Sequence, residues 1–161
     1  MQPIAHDAQR ISLLFEYGVL TGNNVIAWSD GAIVQLDSPP DSLLQLSMTA
    51  PDNTADIISH LHQLSVGSDF WAALRSAIPQ IRDFIVVHPD RAESVANHLF
   101  RTACHAASQL PEDLNFMFQY DDAFSLARDG IYGDSQTIYR DFIQELEEFT
   151  PVGSASLSSG R

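Results

Sequence analysis

The sequence predicts a mainly α fold, a single-domain bundle of about seven helices, with a β-hairpin as the alternative at 25–36. Three observations carry this. Apolar residues recur at helical spacing over most of the chain, as in Val95, Leu99 and Phe100 or Ile138, Phe142 and Leu146. Gly, Pro, Ser, Asn and Asp gather between those stretches, where helices are capped or stopped. The composition, 45% hydrophobic and 18% charged in 161 residues, is rich enough in apolar side chains to build a core.

Taken in order, Asp7–Tyr17 puts Ile11, Leu14 and Phe15 on one side and meets Gly18 as a C-cap. Val25–Leu36 has two readings: a hairpin turning at Ser29-Asp30-Gly31, or a helix entered from Thr21-Gly22-Asn23 with Val25, Trp28 and Ala32 on one side. The helix agrees better with its neighbours. Pro40–Met48 is short. Asn53 or Thr54 caps a helix reaching Val66, with Ile57, Ile58, Leu61 and Leu64 inward and Gly67 closing it.

Ser68 is the expected cap of Asp69–Ile78, and Pro79 then forces a kink or a new start before Ile81, Phe84 and Ile85. Ala92–Ala107 and Ser135–Phe149 are the cleanest amphipathic patterns, and Cys104 reads as a buried, inert thiol. Leu114–Tyr120 alternates like a strand but follows the helix-start triplet Pro111-Glu112-Asp113; a break at Asp121, capping the next turn, avoids burying that charge. The expected core holds Phe15, Leu61, Trp71, Leu74, Leu99, Phe142 and Leu146, so that Trp71→Ala would cost about 3–5 kcal/mol. The domain runs over 1–150, and 151–161 is a flexible Ser/Gly-rich tail.

Charge excludes several function classes. The chain has 21 acids and 8 bases, a net charge of −13, and every base is arginine. Without lysine there is no Schiff-base chemistry and no P-loop lysine. Direct nucleic-acid or anionic-membrane binding needs a cationic face, which this balance opposes. No apolar run approaches the ~18 residues of a membrane span, and the first ten residues have no signal-like apolar core, so a cytoplasmic location is expected.

Candidate chemistry is sparse. One cysteine excludes an internal disulfide, and no cofactor or metal is expected. His60 and His62 diverge on a helix, and His98 and His105 lie two turns apart, about 10.5 Å. Asp56 and His60 supply two ligands without a third. An enzyme, the alternative class, would have to recruit His98, Arg101 or His105 with carboxylates from another helix; a regulatory protein-interaction module is a further alternative. No catalytic residue is assigned.

The strongest signal is a cluster of charge. Glu112 to Glu148 holds ten acids and two arginines. It is read as a face for a basic protein partner, with Asp121, Asp122, Asp134, Asp141, Glu145 and Glu148 as the contact residues. Asp141, Glu145 and Glu148 fall within about 60° on one helix, clear of the apolar stripe.

One resemblance adds to this reading. Tyr17-Gly18-Val19-Leu20-Thr21 leads to Trp28-Ser29-Asp30 and Ile33, followed by Ser38-Pro39-Pro40-Asp41 and Leu43-Leu44-Gln45-Leu46-Ser47. Ala127-Arg128-Asp129-Gly130-Ile131-Tyr132-Gly133-Asp134 and Asp141-Phe142 follow later. This layout resembles small, mostly helical bacterial proteins that are often immunity proteins encoded beside polymorphic toxins. The resemblance implies one-to-one inhibition of a cognate toxin in the cytoplasm, and it transfers no contact residue.

Overall fold

The computed structural model describes residues 2–106 and 109–149; the expected tail at 151–161 lies outside them. Among the described residues the fold is all helical. In chain order the helices are α1 (Gln2–Glu16), α2 (Gly22–Gln35), α3 (Asp41–Ser47), α4 (Thr54–Leu64), α5 (Phe70–Val87), α6 (Ala92–His105), α7 (Tyr120–Arg128) and α8 (Ser135–Glu147). Short 3-10 turns cover Pro89–Arg91 and Glu112–Phe118. Contacts group the chain into two compact units, Met1–Ala77 and Ile78–Arg161, and the boundary falls within α5.

In the first unit, α4 packs on α1 and α3, and α2 packs on α3. Ala8, Ile11, Val25, Leu43, Leu46, Ile57, Leu61 and Leu64 form its core, with Phe15 and Trp28 partly buried against it. Helix is the outcome at 25–36, because the entry is tightly capped. The Thr21 hydroxyl accepts from the Asn24 N–H at 3.2 Å, and the Asn24 side-chain oxygen accepts from the Thr21 N–H at 2.9 Å. Gly22 is required there by space: a Cβ on it would sit 1.8 Å from the Pro51 carbonyl oxygen. Asn53 caps α4 by accepting from the Asp56 N–H at 3.2 Å.

Two expectations about α5 need correction. Asp69, and not Ser68, caps it, accepting from the Ala72 N–H at 3.1 Å, while the Ser68 hydroxyl donates to Gln9. Pro79 starts no new helix; the helical backbone continues through it to Val87. The buried positions are Ala73, Leu74, Ala77, Ile78, Ile81 and Ile85. Trp71 stands at the flank of that stripe, half-buried beside the Phe70 ring at 5.0 Å, so it is not a core centre.

In the second unit, α6 packs on α7 and on the Glu112–Phe118 turn, and α7 packs on α8. Val95, Leu99, Leu114, Met117, Phe142 and Leu146 are buried there. The Phe142 ring meets Tyr120 at 4.9 Å and Phe124 edge-on at 5.8 Å. The Tyr139 hydroxyl donates to the Ile85 carbonyl at 2.9 Å. Positive φ at Gly130 (71°) and Gly133 (84°) lets the chain leave α7 and enter α8.

Three further readings change. Leu114–Phe118 is neither strand nor α-helix but part of a 3-10 turn that buries Leu114, Phe116 and Met117, and Tyr120 already opens α7. Phe118, at the end of that turn, is 37% exposed. Cys104 is exposed, because the buried stripe of α6 runs through Ala92, Val95, Ala96, Leu99 and Ala103 and leaves it one position past the edge. Asp121 does not cap a turn: it lies inside the first turn of α7, and its carboxylate accepts from the Asn97 side-chain amide at 3.0 Å.

Candidate functional site

Around the C-terminal half of α8, three carboxylates act on a single polar side chain, that of Tyr120. Tyr120 opens α7, and its ring lies against Phe142 in the α8 stripe. That contact brings its hydroxyl to α8, where it donates to the Asp141 main-chain carbonyl at 3.3 Å. Asp141, Glu145 and Glu148 project around it from successive turns.

Their effect on Tyr120 is electrostatic as well as spatial. Burial pushes the phenol up to about 12, and Glu145, Asp141 and Glu148 add to the rise, in that order. A phenolate beside three negative charges is unfavourable, so Tyr120 holds its proton at neutral pH and acts as a donor rather than a base or nucleophile. The Glu145 carboxyl is also pushed upward, first by burial and then by Glu148. Glu145 is half-buried, so the expectation that all three acids stand clear of packing holds only for Asp141 and Glu148, which are exposed.

The other three predicted contact residues are spread out. Asp122 is exposed in the first turn of α7, where the helix dipole favours it. Asp134 caps α8, accepting from the Thr137 N–H at 3.3 Å and the Thr137 hydroxyl at 3.1 Å. Asp121 is held by Asn97. The structure therefore draws Asp141, Glu145 and Glu148 together around Tyr120, and it gives Asp121 and Asp134 structural work elsewhere. Tyr120 is the residue that sequence reading missed. The sequence reading placed it only at the end of the alternating Leu114–Tyr120 segment, although a tyrosine hydroxyl drawn out of water generally needs a polar partner.

The histidines do other things. The His62 Nε2 lies 3.1 Å from Glu16, and His105 Nδ1 donates to the Arg101 carbonyl at 2.7 Å. Asp56 is engaged with Asn53, whose amide donates to it at 2.8 Å. Among the described residues no three His, Cys, Asp or Glu side chains are grouped to hold a metal ion. No described helix is long and apolar enough to cross a membrane.

Comparison with protein-family models, curated proteins and solved structures finds no match. Clustered carboxylates around a protonated tyrosine attract cations and offer one O–H donor, a combination suited to holding guanidinium or ammonium groups.

Proposed function

We propose that the protein is a non-enzymatic binding protein of the immunity type, neutralising a basic toxin domain one-to-one in the cytoplasm. The observation that supports this reading is the Tyr120 hydroxyl seated against the α8 main chain at Asp141, in the combined field of Glu145, Asp141 and Glu148. Folding does not require like charges to crowd there, and their mutual repulsion opposes it. A cationic partner reverses the sign of that cost by neutralising them. Asp122 extends the negative field, and Asp121 and Asp134 contribute charge while serving their structural bonds. Toxins that act on nucleic acid carry basic clefts, and an acidic inhibitor occupies the same cleft as the substrate.

The test is co-expression with the C-terminal domain encoded by the adjacent reading frame. The intact chain should restore growth, and the variant carrying Asp141→Arg, Glu145→Arg and Glu148→Arg should not. Growth arrest in the presence of the intact chain, or full protection by the folded triple variant, would overturn the reading.

A further inference from the structure

Two adjoining hollows run along the opposite flank of α8. One, of about 510 Å³, is lined by Asp90, Glu93, Phe124, Tyr139 and Arg140, among others. The next, of about 430 Å³, is lined by Val86, Ile143 and Glu147 and shares Tyr139 and Arg140 with the first. Together they make one groove along the α8 span from Ser135 to Glu147, about 18 Å at the helical rise. Val86 is 53% exposed in it, an apolar contact left open to solvent.

The charges in this groove alternate, and the central one is unmatched. Arg140 is exposed and makes no ion pair among the described residues, in a chain where acids far outnumber bases. Glu93 is already paired with Arg128. Asp90 pairs with Arg91 at the long distance of 3.9 Å, with both side chains largely in solvent. Glu147 is exposed at the far end, also without an ion pair among the described residues. The order along the groove is thus negative, positive, negative, over apolar side chains.

We propose that this groove binds an extended peptide segment of a partner protein, with a carboxylate seated on Arg140 and basic side chains beside Asp90 and Glu147. Extended chain fits the dimensions: about six residues at 3.3 Å each cover the length. Arginine at the centre gives geometric preference for a carboxylate, and the apolar lining takes the side chains between the charges. This flank faces away from Asp141 and Glu145 on the α8 wheel, so the inference stands apart from the acidic-face reading.

The test measures fluorescence anisotropy with labelled heptapeptides. Each has arginine at both ends, leucine and phenylalanine between, and glutamate, glutamine or lysine at the centre. The glutamate-centred peptide should bind at least ten-fold more tightly than the lysine-centred one, and Arg140→Glu should invert that order. Circular dichroism confirms that the variant is folded, and Arg140→Gln, a milder change, should abolish the preference without inverting it. No binding by any peptide, or an order unchanged in Arg140→Glu, overturns the proposal. Sedimentation across a concentration series checks the competing occupant: a dimer dissociated by Arg140→Glu would assign the groove to a second copy of the chain and overturn it as well.

Discussion

The Tyr120 hydroxyl donates to the Asp141 main-chain carbonyl at 3.3 Å, and this bond ties the first residue of α7 to the middle of α8. Because the acceptor is main chain, replacing the Asp141 side chain leaves the bond in place and changes only the charge around it.

Alkaline titration of Tyr120 follows from that arrangement. Its proton is held to about 12 against the ordinary 10.0. Since the folded state binds the proton more tightly, the stabilisation is complete below pH 10 and is lost as pH rises toward 12. Ultraviolet difference spectra should show one tyrosine ionising late, and Glu145→Gln with Glu148→Gln should bring it earlier. An unchanged titration in that double variant would remove the two carboxylates as a cause.

Glu145→Gln should raise Tm at neutral pH. The Glu145 carboxyl is pushed up, so its charged form costs the folded state something that is relieved as pH falls through the carboxylate range. The difference in Tm between the variant and the parent should therefore narrow on acidification. A constant difference across pH would point to packing rather than charge.

Two glycines of α2 offer a matched pair. Gly22→Ala drives a Cβ against the Pro51 carbonyl and should cost more than about 2 kcal/mol. Gly31 has nothing within 4 Å of a Cβ, and Gly31→Ala should stabilise by about 0.5–1 kcal/mol. Urea unfolding of both variants measures the contrast.

In the second unit, Phe142→Ala should cost about 3–5 kcal/mol, since Phe142 is fully buried between Tyr120 and Phe124. Trp71→Ala should cost less than that, because Trp71 is only half-buried. Equal losses would mean that exposure is a poor guide to the packing of Trp71.

His60 has a ring nitrogen, Nδ1, buried with no hydrogen-bond partner among the described residues. His60→Leu should leave stability unchanged or raise it, whereas a polar atom with a hidden partner would make the same change costly by about 1–3 kcal/mol. Thermal melts of the variant decide between them.

Helix positions were legible in the sequence wherever one face was continuously apolar. Ile138, Phe142 and Leu146 mark α8, and Val95, Leu99 and Ala103 mark α6, with no tertiary information needed. The Leu114–Phe118 stretch was illegible because a 3-10 turn has three residues per turn, and its inward set of Leu114, Phe116 and Met117 matches neither the strand nor the α period. Cys104 was misplaced by a single position on the wheel, where burial ends abruptly at Ala103. Of the six acids chosen for the candidate face, the i, i+4, i+7 set converges because one helix carries it. The role of Tyr120 depended on how α7 meets α8, a long-range fact that local spacing does not encode.

The exposed Cys104 has a practical consequence when combined with the positions of the tryptophans. Both tryptophans of the chain, Trp28 and Trp71, belong to the Met1–Ala77 unit, and the sole cysteine belongs to the Ile78–Arg161 unit. Intrinsic tryptophan emission therefore reports on the first unit alone. A thiol-reactive dye enters the second at one defined, accessible atom. The molecule thus carries separate optical reporters, with natural fluorophores in one unit and a unique attachment point in the other. Loss of structure in the first unit is then followed by its own emission, and loss of structure in the second by the dye.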